Sequence, residues 1–460
     1  MKRAASLLLL ASLGACTSLD PAYQRPAPPV PPSFPIGDPY LREGPPLPAF
    51  GYRDVFRDVR LQTLIGQALQ NNRDLRVAAA NIAAARAQVR ISRGAQLPQV
   101  GSGASLDAAP GRNAEGGRSG VQLSPAISIL PSFELDLFGR LASLTRAQQE
   151  RYFATEAAAR ATRVALTGDI ADAWLSHALD ASLQRIAEDT VRSAERSRVL
   201  TEARLRGGVA PRTDLLQAQQ VLETARADLA QQRALVAQDA NLLQLLVGAP
   251  VDRSLLPNSI DEAATSVASL PAGTSSQVLL RRPDIIQAEY ELRAANAEIG
   301  AARAALFPSI SLTGLLGFAS DTLSGLFSGG AFNWSAGPAV DYAIFRGGAG
   351  RATVSLRRAE QQAAVANYER AIQVAFREVA DALADKGTLG DRVGADRRNA
   401  QAATETLRLV TARYREGIDP FLTTLDAQRS AYTAERRLAA TRLAQARNAV
   451  TLYRALGGDG

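Results

Sequence analysis

Few side chains in this 460-residue sequence could carry covalent, acid-base or metal chemistry. Cys16 is the only cysteine, so neither an intrachain disulfide nor a cysteine-based metal cluster can form. His177 is the only histidine and falls within a helical pattern, where a surface or packing role accounts for it. One histidine cannot build the usual histidine-containing zinc sites or a metalloprotease motif. Gly347-Gly348-Ala349-Gly350 follows a strand pattern and precedes a helical one. It lacks the Lys-Ser/Thr of a phosphate-binding loop, and a strand-to-helix corner explains it better. Catalysis is therefore the least supported use of the chain, and no cofactor or metal is implied.

Cys16 has a different chemistry available. Met1-Lys2-Arg3, the run Leu7-Leu8-Leu9-Leu10 and the ending Leu13-Gly14-Ala15 form the charged, apolar and small-residue regions of a secretory signal over residues 1–15. Small residues directly before the cysteine look like a bacterial lipobox, which implies cleavage before Cys16 and acylation of its amino group and thiol. Thr17 rather than Asp follows, a choice that in lipoproteins of this type implies the outer membrane. Residues 16–50 then form a lipidated, proline-rich tether, with eleven prolines between Pro21 and Pro48.

The rest of the chain reads as helix and strand. Aromatic residues make up only 5% and Ala is abundant, which suits close packing of long helices. The net charge is +7, but only Lys2 and Lys386 are lysines; the positive charge is Arg dispersed along helical faces. No basic run is interleaved with aromatics, so nucleic acid is not an expected partner. No segment beyond the signal holds about 18 consecutive apolar residues, as a membrane-spanning helix requires.

The positioning elements occur twice. A helical pattern runs 24 residues from Asp74 to Pro98, and another runs 24 residues from Asp284 to Pro308, 210 positions later. At each proline the period changes from helical to alternating. In the first copy, residues 51–247, strands fall at about 99–137 with a hairpin loop from Pro110 to Gly120. About 68 helical residues follow, on the order of 100 Å of rod at 1.5 Å per residue. The turn at Gly207-Gly208-Val209-Ala210-Pro211 reverses the chain. In the return helix Leu215, Leu222, Leu229, Val236 and Leu243 recur every seven residues, with Ala218 and Ala225 three later, a coiled-coil seam. A proline-marked linker spans residues 248–276. The second copy, residues 277–457, repeats the plan, with strands at about 309–345, a long helix weakened by Gly387, Gly390 and Gly394, and a turn at Gly417-Ile418-Asp419-Pro420. Gly208 and Gly417 differ by 209, as do Pro211 and Pro420, so the repeat offset drifts by one residue.

Four amphipathic strands are too few to close a barrel, which takes about eight. Other copies must complete the sheet. A secreted, lipid-anchored chain of this kind resembles the TolC-like outer-membrane factors, in particular the lipid-anchored OprM-like or NodT-family efflux lipoproteins. The likeness covers nearly everything after the signal. It rests on the lipobox, Tyr23-Gln24-Arg25-Pro26, the run from Leu270-Pro271-Ala272-Gly273 to Arg281-Arg282-Pro283-Asp284-Ile285, Ala294-Ala295-Asn296-Ala297, Phe307-Pro308-Ser309-Ile310 and Leu425-Asp426-Ala427-Gln428-Arg429. It implies a mixed α and β, internally duplicated fold. Long coiled-coil helices would form a periplasmic α-barrel, and four strands per protomer would contribute to a twelve-stranded transmembrane β-barrel in a homotrimer.

The resemblance also implies where function sits. At the periplasmic tip Leu422 would form an apolar ring and Asp426 a ring of carboxylates, three like charges near one axis, although a solvated helix-surface carboxylate also accounts for Asp426. Some relatives of this type place a second carboxylate where this chain has Thr423, and the matching first-repeat positions carry Thr213 and Gln217. The gate would therefore lean on Leu422. Asp419 reads as an N-cap ahead of Pro420. The turns containing Gly207, Gly208, Val209 and Pro211, and Gly417, Ile418 and Pro420, would dock a periplasmic adaptor protein. The implied function is a passive conduit exporting small molecules through that adaptor and a proton-driven inner-membrane pump. The same channel could serve type I protein secretion. A periplasmic coiled-coil structural lipoprotein is the reading from another class, against which the paired amphipathic strands argue.

Overall fold

The computed structural model describes residues 18–40, 51–112, 118–268 and 275–458. Cys16, the signal segment, part of the hairpin loop and Leu270-Pro271-Ala272-Gly273 lie outside them. The fold is mixed α and β and mostly helical. In order it contains α1 (Tyr52–Val55), α2 (Val59–Asn71), α3 (Arg73–Gly94), β1 (Gln99–Arg112), β2 (Arg118–Leu135), α4 (Arg140–Arg206), α5 (Arg212–Val247), α6 (Ile260–Thr265), α7 (Pro283–Ala304), β3 (Ser309–Ala319), β4 (Phe332–Asp341), α8 (Ala349–Arg415) and α9 (Phe421–Ala455). The succession α3-β1-β2-α4-α5 recurs as α7-β3-β4-α8-α9. β1 begins at the residue after Pro98 and β3 at the residue after Pro308. A proline cannot continue the helical hydrogen bonding and drives the preceding residue toward extended backbone, so each one sets where helix gives way to strand. Among the described residues no helix is long and apolar enough to cross a membrane.

The chain divides into two compact units. One is built from Ala80–Glu156, Gln287–Glu369 and the N-terminal residues up to Ala27. Its sheet is antiparallel in the order β1-β2-β3-β4, leaving β1 and β4 as edges. The register aligns Ala104, Ile127, Phe318 and Phe332 across all four strands, and likewise Ser102, Ile129, Leu316 and Trp334. Because side chains alternate between faces, one face over residues 100–110, 121–135, 310–318 and 332–340 is apolar throughout except at Ser102 and Gly314. The other carries mainly Gly, Ala, Ser and Thr with Asp107, Gln122, Glu134 and Asn333. Apolar side chains on the first face are exposed, Trp334 by 70% and Val340 by 65%.

Between sheet and helix, Phe138 stacks on Phe307 at 4.5 Å. Gly139, Gly347 and Gly348 take left-handed backbone at the two corners, which is the work the Gly347-Gly348-Ala349-Gly350 run performs. The N-terminal strap is pinned in the same unit. Ser143 Oγ and Arg146 Nε donate to Asp20 at 2.7 and 2.8 Å, Asn296 Nδ2 to the Pro21 carbonyl at 2.7 Å and an Arg303 N–H to the Leu19 carbonyl at 3.1 Å. Glu289, nearly buried, holds both Arg25 and Arg293, and Arg293 lies 5.0 Å over the Tyr23 ring. The expected extended tether is thus, over residues 19–25, a strap fastened to α4 and α7.

The second unit is built from Pro28–Ala79, Ala157–Ile286 and Arg370 onward. Its core contains Phe56, Leu61, Leu64, Ile65, Ile170, Trp174, Leu175, Leu243 and Tyr453. Trp174 Nε1 finds the Leu255 carbonyl at 3.0 Å. Asn72 breaks α2 from α3 and caps α3: its Oδ1 accepts from the N–H groups of Asp74 and Leu75, while Nδ2 donates to the Leu246 carbonyl. The Arg282-Pro283-Asp284 run is structural. Arg282, buried, donates to the Ala455 carbonyl at 2.7 Å and pairs with Asp284 and Glu378.

Several expectations are corrected. The long helix ends at Arg415 as expected, and α8 passes Gly387, Gly390 and Gly394 without interruption over its 67 residues. A Cβ at Gly387 would stand 1.9 Å from the Pro39 carbonyl oxygen, so glycine here admits the strap rather than weakening the helix. The 248–276 linker contains α6 and a short 3-10 turn at Arg253–Leu255. The ladder runs into the expected loop, to the Arg112–Arg118 pair. Strands stop at Leu135 and Asp341, short of 137 and 345. Of the two roles open to His177, packing is the one observed, and burial pushes its imidazole toward the neutral form. In the seam, Leu222, Leu229 and Leu243 are buried while Leu215 and Val236 are half-buried.

Gly300 makes the strap contact possible in the first unit, since a Cβ there would lie 1.7 Å from Asp20 Oδ1. Gly300→Ala should displace the strap, cost about 1–3 kcal/mol by overpacking, and open the Leu19–Ala27 stretch to protease. An unchanged digestion pattern would mean that Glu289 and Asn296 hold the strap unaided.

Candidate gate and docking turns

The two helical reversals share one backbone solution. At the end of α4 the Gly208 N–H bonds the Leu205 carbonyl and the Val209 N–H the Arg204 carbonyl, with Gly208 at φ 75°. At the end of α8 the Gly417 N–H bonds the Tyr414 carbonyl and the Ile418 N–H the Arg413 carbonyl, with Gly417 at φ 77°. This double bond pattern satisfies helix-end carbonyls and needs a left-handed residue, which glycine supplies without strain. Pro211 and Pro420 then start α5 and α9 from extended backbone. Gly207, Gly208, Pro211, Gly417 and Pro420 are all exposed, and the turns present two apolar side chains to solvent, Val209 (67% exposed) and Ile418 (62%).

Beneath the turns the two hairpins are fastened together. Tyr414, Phe421, Leu425 and Ala218 form a buried cluster flanked by Leu200 and Val221. The Tyr414 hydroxyl meets Thr201 Oγ1 at 3.1 Å, its carbonyl accepts from Arg204 at 2.6 Å, and the Arg204 guanidinium lies 4.8 Å over its ring. An aromatic ring, a cation over its face and two hydrogen bonds tie α4 to α8 at one residue. Further along, a Gln428 N–H reaches Ser197 Oγ at 3.1 Å and the Tyr432 hydroxyl donates to Asp228 at 3.0 Å. Tyr414 escaped sequence reading. Its signal was present as a repeat mismatch, because the first-repeat counterpart 209 positions earlier is Leu205.

The gate candidates lie one turn apart on the outward face of α9. Leu422 is 63% exposed, Asp426 is exposed, and Asp426 makes no hydrogen bond or ion pair among the described residues. Their neighbours Phe421, Thr424, Leu425, Ala427 and Gln428 are buried. The Leu425-Asp426-Ala427-Gln428 motif therefore splits: three residues pack the hairpins and Asp426 alone faces out. Thr423 and Thr213 are exposed and Gln217 is half-buried. Asp419 is not the N-cap expected of it. Pro420 holds that position without a side-chain bond, and Asp419 instead accepts from Arg413 Nε at 2.7 Å and from a second guanidinium N–H at 3.0 Å. That hydrogen-bonded guanidinium holds the Asp419 carboxyl below the usual carboxylate range. Among the described residues no cluster of three or more His, Cys, Asp and Glu could hold a metal ion.

Comparison with known proteins agrees with this architecture. The family model for outer membrane efflux proteins matches the chain twice, at residues 64–249 and 274–458. The probable efflux pump outer membrane protein TtgC of Pseudomonas putida is 43% identical over 455 residues, covering 97% of this chain and 93% of that protein. Outer membrane protein OprJ of Pseudomonas aeruginosa is 42% identical over 458 residues, covering 98% and 95%. The crystal structure of CusC, described in terms of transmembrane channel formation, superposes with a TM-score of 0.85 at 39% identity, covering 96% of this chain and all of that one. The chain belongs to the outer membrane efflux protein family.

Proposed function

We propose that this protein is the outer-membrane channel of a tripartite efflux system, a passive conduit through which small molecules leave the cell. The observation that carries the proposal is the sheet: an apolar face exposed to solvent and two unpaired edges, β1 and β4, in a chain without a membrane-crossing helix among its described residues. An open sheet in lipid would leave backbone groups unbonded, so β1 of one copy pairs with β4 of the next until the barrel closes. Three copies supply twelve strands. The names of TtgC and its relatives as efflux pump outer membrane proteins support the same assignment. The small and polar opposite face lines the pore, the helical hairpins form a periplasmic tunnel, and no chemical step is catalysed.

In this assembly residues 1–15 are removed as a signal, Cys16 begins the mature chain and carries the acyl anchor, and residues 16–50 lead into the first repeat. Residues 51–247 and 277–457 act as equivalent halves joined by 248–276. Leu422 and Asp426 from each protomer face the axis at the closed tip, with Leu422 as the main barrier. Val209 and Ile418 form the apolar part of the surface that meets a periplasmic adaptor, itself linked to a proton-driven inner-membrane pump.

Mass spectrometry of the mature N-terminus should find acyl mass on Cys16, and Cys16→Ala should abolish it; an unmodified cysteine would remove the anchor. In planar bilayers, Leu422→Ala combined with Asp426→Ala should raise single-channel conductance several-fold at the same trimer yield. Conductance equal to wild type would place the barrier elsewhere. A photocrosslinker at position 209 or 418 should capture the adaptor in intact cells while one at Trp334 does not, and equal capture at all three would refute tip docking.

A further inference from the structure

The first hairpin holds a carboxyl pair that the second lacks. Asp180 on α4 and Asp239 on α5 interact side chain to side chain, and both are half-buried. Asp239 Oδ2 is enclosed and has no hydrogen-bond partner among the described residues. The charged and titratable groups facing the pair are His177, one turn earlier on α4, and Arg447 on α9. Arg447 draws both carboxyls down and His177 draws Asp180 down, but burial outweighs them. His177 is kept toward its neutral form by burial, and Arg447 is engaged with Ser176 Oγ at 2.6 Å and leans toward Asp172 at 3.9 Å.

The repeat supplies an internal comparison. Adding the 209-residue offset places Leu389 opposite Asp180 in the second hairpin and Asn448 opposite Asp239. Both are buried, and Asn448 Nδ2 donates to the Ala382 carbonyl at 2.8 Å. The fold therefore fills this level without any carboxyl, and the acidic pair serves something other than the packing common to both halves. Two carboxylates in contact repel, whereas one proton from solvent, bound to either, converts the repulsion into an O–H···O⁻ bond and gives Asp239 Oδ2 a partner.

We infer that Asp180 and Asp239 hold one proton between them and act as an acid-set clasp joining the two arms of the first hairpin. Burial raises both carboxyls, and the Asp180 charge raises Asp239 further, to about 7, while the hydrogen bond from Asp239 draws Asp180 back down. A carboxyl raised in the closed form takes up its proton there first. The clasp is tight as pH falls below about 7 and loosens as pH rises through it, whereas a separated aspartate would not titrate until near 4. Between pH 8 and pH 6 the closed hairpin gains about ten-fold over the open one. Because the clasp sits on the arms that carry the Gly207–Pro211 turn, acidity stiffens one hairpin of each protomer and not the other. The inference does not depend on the export reading.

Hydrogen exchange of the full-length protein in detergent, corrected for the intrinsic effect of pH on amide chemistry, tests it. Peptides containing Asp180 and Asp239 should open about ten-fold less often at pH 6 than at pH 8, and peptides containing Leu389 and Asn448 should show no such change. Asp239→Asn should flatten the dependence. So should Asp180→Leu with Asp239→Asn, which installs the side chains that the second hairpin already packs at this level and so guards against a folding defect. No pH effect in the wild-type protein, or an effect that survives either variant, would overturn the clasp.

Discussion

Backbone hydrogen bonding at the sheet edges is the constraint to which everything else answers. The outward-facing N–H and C=O groups of the edge strands β1 and β4 have no neighbouring strand among the described residues, and the apolar face across all four strands has no covering layer there. Neither water nor lipid alone suits such a sheet: water is wrong for the face, and lipid is wrong for the edges. Closure with further copies resolves both conditions at once. The helices then have to be long and nearly alike, because each must find equivalent neighbours around a ring. Much of α3 is exposed in one protomer, with Val89 its only buried side chain, as expected of a surface whose neighbours come from other copies.

The duplication supplies near-equivalence, and the departures from it carry the specialised roles. On α7 the strap lies against Asn296, Gly300 and Arg303; the matching positions of α3 hold Arg86, Arg90 and Arg93, where two large cations replace the amide and the glycine. At the tip, Tyr414 reaches Thr201 and Arg204, while its counterpart Leu205 has no polar group to offer. Each asymmetry is small in sequence and decides which of two otherwise similar helices makes a contact.

Periodicity and punctuation made most of the fold readable. The prolines at 98 and 308 marked where each strand begins to the residue, and the alternating period after each announced an apolar face. What sequence could not convey was contact between distant segments. The glycines in α8 looked only like weak points because propensity counts local cost, whereas Gly387 answers to the Pro39 backbone crossing it. The proline-rich stretch looked like a spacer because nothing local says that Asp20 will meet Ser143 and Arg146. Asp419 looked like a cap for the same reason, its partner Arg413 lying across the turn. The tip motif was visible as a motif, but only packing separates the outward Asp426 from the buried Leu425 and Gln428.

The strap also orders events in time. Its partners on α7, Glu289, Asn296 and Arg303, lie 264 to 284 residues away along the chain. Synthesis proceeds from the N-terminus, so Leu19, Pro21 and Arg25 emerge long before those groups exist. Loop closure over such separations is slow compared with forming a local helical hairpin. The first repeat can fold while the strap is held only at Asp20, by Ser143 and Arg146, and its fastening to α7 waits for the second repeat. Residues made early thus become a late seal between the N-terminal strap and α7.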